Sequence, residues 1–294
     1  MDASRVNLQD WVSFGGGGFG ESFYHKTDDS VILKLNKTSI SKEKAEEEFL
    51  RTKAVYDMGI PSAQPYEFVT DGEERYGMIV QRIVGKESFG KIISEHPERL
   101  DELAGITADY AKALHALPCN TDLFENKALR AREMIAASPL IPDDIKARLI
   151  GYIDQLEPVT NCLHGDLNPC NIITAQGKVY WIDLGGFGYG DPLLDFSILS
   201  HMSGYALNPL LLRLFHMDRK MMTRFYQSMG RQYFGSVWDT PEHQEKMHRI
   251  AQIMAGKAIC YWPQSHHVNL PYLKGQKFLT AFNIFIGDHL KLNF

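Results

Sequence analysis

Over roughly the first 85 residues the apolar positions alternate with polar ones in short runs, and beyond Gly85 they recur at helical spacing. Residues 6–14, 21–25 and 31–35 read as strands, the last two joined by the charged turn KTDDS. Residues 41–59 read as a helix. Ser41 can cap it, Phe49, Thr52, Val55 and Tyr56 form its apolar stripe, and Gly59 stops it before Pro61. Two more strands flank Asp71-Gly72 within 64–85. Together these predict a small antiparallel sheet of about five strands with one helix. Residues 97–118 then read as one long amphipathic helix, with Leu103, Ile106, Tyr110, Ala113, Leu114 and Leu117 on its apolar side. Residues 120–158 continue as helix, broken at PLIPDD. The stretch NIITAQGKVYWID, residues 171–183, forms two β-branched and aromatic runs around Gln176-Gly177, which predicts a hairpin. From Phe196 on, segments 195–206, 209–235, 241–263 and 272–294 are helical, and their many Met, Phe and Tyr residues read as helical core. The expected class is α+β, with one boundary near 82–85 separating residues 1–84 from 85–294. No repeats or long linkers appear.

Bulk numbers narrow this little. A chain of 294 residues makes one large domain or two modest ones, and 44% hydrophobic with 23% charged residues fits an ordinary globular protein. The net charge of −5 argues against general nucleic-acid binding. No apolar run reaches the roughly 18 residues a bilayer span needs, and MDASRVNLQDW carries no signal pattern. The expectation is a cytoplasmic protein without a membrane partner, its four cysteines (Cys119, Cys162, Cys170, Cys260) reduced and too scattered for a zinc site. Charge is uneven, however: residues 201–294 hold eleven Lys and Arg against five Asp and Glu, a net +6, so the first 200 carry −11.

The chemistry concentrates between Cys162 and Asp195. Asp166 and Asn171 lie five apart in H-G-D-L-N-P-C-N, and Asp183 follows twelve later in W-I-D-L-G. A hairpin over 171–183 brings its ends together and so sets Asn171 beside Asp183, with Asp166 on the loop before them. Two hard oxygen ligands and a third carboxylate make a Mg²⁺ and phosphate site. Asp166 can accept a proton from an acceptor hydroxyl while Asn171 and Asp183 hold the metal on nucleotide phosphates. Upstream, Gly15, Gly17 and Gly20 fit G-x-G-x-x-G within a run that also holds Gly16 and Gly18. Alone this is weak. A dinucleotide fold needs a helix next, and strands follow instead, so the glycines sit in a hairpin whose N–H groups can approach phosphates.

This set resembles the aminoglycoside phosphotransferase and choline kinase type of small-molecule kinase, relatives of the protein kinases. The residues that carry the resemblance are His164-Gly165-Asp166, Asn171, Ile182-Asp183 and Gly190-Asp191-Pro192 to Asp195. It implies a bilobal protein kinase-like fold, with a small antiparallel sheet and one helix in the first lobe and a mainly helical second lobe that walls the acceptor pocket. It implies ATP as the nucleotide, GTP not being excluded, with Mg²⁺ and a small-molecule hydroxyl acceptor. Val31-Ile32-Leu33-Lys34 resembles the V-A-I-K strand, so Lys34 would reach the phosphates beside the glycine loop. Family spacing points to Glu48 as the partner of Lys34, with Glu47 close behind. Gln81 to Val84, Ile83 among them, resembles the hinge that pairs with the base, and Met78 would line the base pocket. His164 would pack beneath the metal loop, His115 would be structural, and Asp191 and Asp195 would cap and brace.

Gly165 replaces the arginine of most protein kinases, and only seven residues separate Asp183 from Asp191, which disfavours a protein kinase regulated by an activation loop. A non-catalytic nucleotide-binding relative is the other alternative; the overloaded glycine run supports it and the complete set of catalytic residues opposes it. The +6 of the last segment speaks against polycationic aminoglycosides and for a neutral or anionic acceptor. Tyr261, Trp262 and Tyr272 offer aromatic faces for a choline-like cation.

Overall fold

A computed structural model describes residues 1–16, 20–205 and 208–261. Gly17, Gly18, Trp262, Tyr272 and the expected helix 272–294 therefore lie outside the described residues. In chain order the elements are β1 (Ser4–Arg5), β2 (Trp11–Gly16), β3 (Gly20–His25), β4 (Val31–Asn36), α1 (Lys42–Asp57), β5 (Pro65–Thr70), β6 (Tyr76–Gln81), β7 (Glu87–Ser88), α2 (Phe89–Glu95), α3 (Leu100–His115), α4 (Lys127–Ala137), α5 (Asp143–Ile153), β8 (Cys162–Leu163), β9 (Ile172–Ala175), β10 (Lys178–Trp181), β11 (Gly188–Tyr189), α6 (Phe196–Tyr205), α7 (Asn208–Phe215), α8 (Arg219–Phe234) and α9 (Pro241–Tyr261). No helix among the described residues is long and apolar enough to cross a membrane. The chain divides into two compact units. One is Met1–Ser88 with Asn171–Gly185; the other is Phe89–Cys170 with the described residues from Gly186 on.

In the first unit a six-stranded sheet runs β1-β5-β6-β4-β3-β2, antiparallel except where β1 joins β5 in parallel. Strand alternation splits its side chains into two layers. Phe68, Met78 and Val80 pack against Ala45 and Phe49 of α1. On the other face Phe23, Leu33, Leu35 and Val69 meet Val6, Leu8 and Trp11 of the first segment. Leu33, Leu35 and Phe68 are fully buried, each contributing about 1.5–3 kcal/mol of apolar burial. Helix α1 starts where expected, the Ser41 hydroxyl accepting from the Lys44 N–H at 3.4 Å. The first strand is shorter than its apolar run, because a 3-10 turn over Leu8–Asp10, capped by Asn7, interrupts it. The expected hairpin forms: β9 and β10 pair with Trp181 opposite Ile172, and β7 joins β9 on its outer side. Its turn has Gln176 at φ 50° and Gly177 at φ 75°, two left-handed residues that match the strand twist.

The second unit is a helical assembly built on α3, which packs on α8; α6 packs on α8 and α9, and α4 and α5 form a pair against α9. The expected helix 97–118 is α3 preceded by a 3-10 turn over Pro97–Arg99. Its buried face is rotated from the expected stripe. Leu103 and Leu114 are buried, but Ala113 is exposed, and Ala104, Thr107, Ala108 and Ala111 are the residues turned inward. On the same helix Gly105 lets α8 approach closely, a Cβ there falling 2.4 Å from Gln232 Oε1, so position in the packing outweighs hydrophobicity. The segment 209–235 is two helices rather than one: His216 sits at φ 59° and Asp218 caps α8 through the Met221 N–H at 2.8 Å. Trp238 is fully buried against Tyr226 and Phe234.

Candidate active site

The catalytic-loop candidate follows β8 in the second unit, and the two-residue pairing of β8 with β11 sets its start. The His164 and Gly165 N–H groups both donate to the Asp195 carboxylate, at 2.7 Å each. Asp195 is fully buried and is also held by His115 Nε2 at 3.0 Å, while His115 Nδ1 meets the Tyr233 hydroxyl at 2.8 Å. Burial alone would raise the Asp195 carboxyl; His115 beside it, His164 and the Gly165 N–H outweigh this and hold it below its ordinary value. The loop therefore hangs on an ionised carboxylate anchored to two helices. Gly165 has φ 80°, and a Cβ there would lie 1.9 Å from the Gly186 carbonyl oxygen, so only glycine fits.

Asp166 is half-buried. Its N–H donates to His164 Nδ1 at 3.3 Å, and the Asn168 amide donates to its carbonyl at 3.1 Å and to its carboxylate at 3.2 Å. Asn168 in turn accepts from the Cys170 N–H at 2.9 Å. Asn168 thus aims the Asp166 carboxylate. The Cys162 thiol, just before the loop, is raised by its hydrogen bond with the Cys119 thiol and by burial, so these cysteines are neutral packing groups.

The first unit holds the remaining candidates. Asn171 and Asp183 end up at the mouth of the β9–β10 hairpin, where the Ile182 N–H donates to the Asn171 carbonyl at 2.9 Å. Asn171 is buried and Asp183 exposed, the latter in left-handed backbone at φ 58°. A non-glycine residue held there is a local strain of the kind found at functional positions.

Lys34 is exposed on β4, directly across from Met78 on β6 and on the sheet face that α1 covers. Met78 itself is buried among Ala45, Phe49, Phe68 and Val80. Glu48 reaches the same face but accepts from the Asn36 amide at 3.1 Å, two residues after Lys34. Glu47 faces Arg51 at 3.5 Å. Among the described residues no ion pair joins Lys34 to either glutamate. Instead a second lysine acts there: burial and the like charge of Lys34 push the Lys86 ammonium below its ordinary value.

Gly15, Gly16 and Gly20 flank the tip of the β2–β3 hairpin; Gly16 pairs with Glu21, and Gly20 with Asn36 of β4. At the hinge candidate the Gln81 N–H donates to the Gln64 carbonyl at 2.8 Å and the Arg82 N–H to the Ser30 carbonyl at 2.7 Å, with half-buried Ile83 next in the chain. Asn168 and Tyr233 escaped sequence reasoning. Asn168 carried a weak signal, since an Asx residue two positions past Asp166 can fold a turn back onto it; Tyr233 carried none, lying 118 residues from His115.

The profile of the phosphotransferase enzyme family matches residues 11–228. No curated protein sequence matches the chain. Solved structures share its fold. A thermostable mutant of aminoglycoside phosphotransferase APH(4)-Ia superimposes with TM-score 0.64 at 12% identity, over 96% of this chain and 93% of that one. Amicoumacin kinase hAmiN, in complex with AMP-PNP, Ca²⁺ and Ami, gives 0.63 at 15% identity over 98% and 90%. A choline/ethanolamine kinase family protein from Mesorhizobium loti gives 0.61 at 13% identity over 96% and 87%.

Proposed function

The chain belongs to the phosphotransferase enzyme family, and from that premise we propose that it moves the γ-phosphoryl group of ATP, or of GTP, to a hydroxyl of a small molecule. The observation that carries the reading is the hairpin mouth, where the Ile182 N–H donates to the Asn171 carbonyl at 2.9 Å and Asp183 is the next residue, with Asn171 five residues down the chain from Asp166.

The donor set fits Mg²⁺. Asn171 and Asp183 offer hard oxygens, and this ion is ordinarily held by one or two carboxylates and completed by phosphate and water. Bound by Asn171 and Asp183, it would neutralise charge on the phosphate oxygens. Asp166 receives the acceptor hydroxyl. The hydroxyl oxygen bonds to the γ-phosphorus, its proton passes to Asp166, and the bond to the β–γ bridging oxygen breaks to release the diphosphate. Asn168 keeps the Asp166 carboxylate aimed, and Asp195 keeps the loop from moving.

Lys34, with Lys86 near it, and the glycines Gly15 to Gly20 supply positive charge and N–H groups for phosphates. Glu48 would have to exchange Asn36 for Lys34 to serve as its partner. With the Gln81 and Arg82 N–H groups engaged, pairing with the base falls to the Ile83 backbone.

The test is a pair of variants. Asp166→Asn should lower acceptor-dependent release of ADP by roughly 100-fold or more, while Mg·ATP still raises the melting temperature. Asp183→Ala should lose that thermal stabilisation. Undiminished turnover in Asp166→Asn would sink the assignment.

A further inference from the structure

Beside the catalytic loop, within the second unit, lies a cleft with about 70 Å³ open to the centres of water molecules. That is room for about five waters, or for one compact charged group. Gly165 lines it, the residue before Asp166, together with Glu125, Lys127, Arg130, Asp195 and Lys257. Three cations thus face two carboxylates, and both carboxylates are engaged. Asp195 accepts from the His164 and Gly165 N–H groups and from His115. Glu125 pairs with Lys127 at 2.7 Å. Arg130 has a loose, exposed partner in Glu133 at 3.8 Å.

Lys257, from α9, is half-buried, and no carboxylate comes within ion-pair distance of it among the described residues. A partly buried ammonium without a counter-ion is unfavourable, so such a group has use for an anion. The alternative, a lysine placed to balance Asp195, would show a direct pair of the kind Lys127 makes.

We propose that this cleft binds an anionic group, a carboxylate or phosphate, of the hydroxyl acceptor, with Lys257 as its principal contact and Lys127 and Arg130 at its side. The proposal rests on the kinase reading and deepens it by naming the acceptor as a hydroxy acid or an alcohol phosphate rather than an amine. The state of Lys257 agrees with this. Burial and then the like charge of Lys127 push its ammonium down, and the charges of Asp195, Glu125 and Asp166 only partly restore it. A bound oxyanion would raise it back.

The experiment is titration calorimetry on the full chain saturated with Mg·AMP-PNP, so that the nucleotide site is filled, with inorganic phosphate and with glycerate as probes. At least one probe should bind. Its affinity should fall roughly tenfold or more in Lys257→Ala, as expected for loss of a charge-assisted contact, and recover in Lys257→Arg. Equal affinity in wild type and Lys257→Ala overturns the proposal. So does failure of both probes in a protein that still binds Mg·AMP-PNP, and that outcome leaves the kinase reading standing. Absence of Mg·AMP-PNP binding overturns the kinase reading itself.

Discussion

At the scale of single residues, the catalytic loop depends on one buried charge. Asp195 fills its two oxygens with the His164 and Gly165 N–H groups and with His115, so its ionised form belongs to the folded state. A carboxyl held below its ordinary value when folded stabilises the protein above that value and loses the contribution as pH falls through the folded one. Acid should therefore destabilise the wild type. Asp195→Asn should lose roughly 3 kcal/mol at neutral pH, the scale for removing one partner of a buried charged network, and its remaining stability should decline less steeply in acid. Urea midpoints between neutral pH and pH about 3 would show it; parallel acid profiles for the two proteins would mean that Asp195 is not an ionised anchor. Asp195 was legible as a bracing residue because carboxylates at such a position can bond N–H groups. Its partner His115 lies 80 residues away, and Tyr233 and Lys257 gave no comparable signal. A sequence records residue types and spacings. It holds no distances between segments, so contacts closed by the fold cannot be read from it.

At the scale of elements, the part of the candidate site that was legible is the part made locally. Gln176-Gly177 between two β-branched runs names a hairpin, and a hairpin by itself brings Asn171 to Asp183. Helix α1 was legible for the same reason, since Ser41 and Gly59 mark its ends. The strands β1, β7, β8 and β11 have two residues each, too few to show a period, although β8 and β11 set where the catalytic loop begins. The turn gives a prediction with two signs. A Cβ at Gly177 meets nothing within 4 Å, so Gly177→Ala should cost only its left-handed backbone, roughly 1–2 kcal/mol. Gln176→Asn should gain a few tenths of a kcal/mol, because Asn tolerates that region better. Denaturant midpoints that move in the same direction for both variants would mean that the turn is not what holds this hairpin.

At the scale of the whole molecule, one boundary was expected near residues 82–85, whereas the first compact unit comprises Met1–Ser88 together with Asn171–Gly185. A boundary drawn along the sequence cannot express this, because the returning hairpin is continuous in chain with the catalytic loop. Yet its bonds are to the first segment: β9 pairs with β7, and the Trp181 N–H donates to the Pro61 carbonyl at 2.7 Å. Trp181 is nearly fully buried. A fragment ending at Ser88 loses the strand that pairs with β7 and the ring that covers its neighbours, a loss of roughly 3 kcal/mol or more on the scale of Trp deletions. Such a fragment should melt well below one in which residues 171–185 are rejoined to Ser88 through a short Gly/Ser linker, and trypsin should cut it faster. The antiparallel pairing of Ser88 with Ile173 makes that connection short. Equal melting and equal cleavage of the two fragments would mean that the hairpin adds nothing to the first unit, and that residues 1–88 hold together without the pair Asn171 and Asp183.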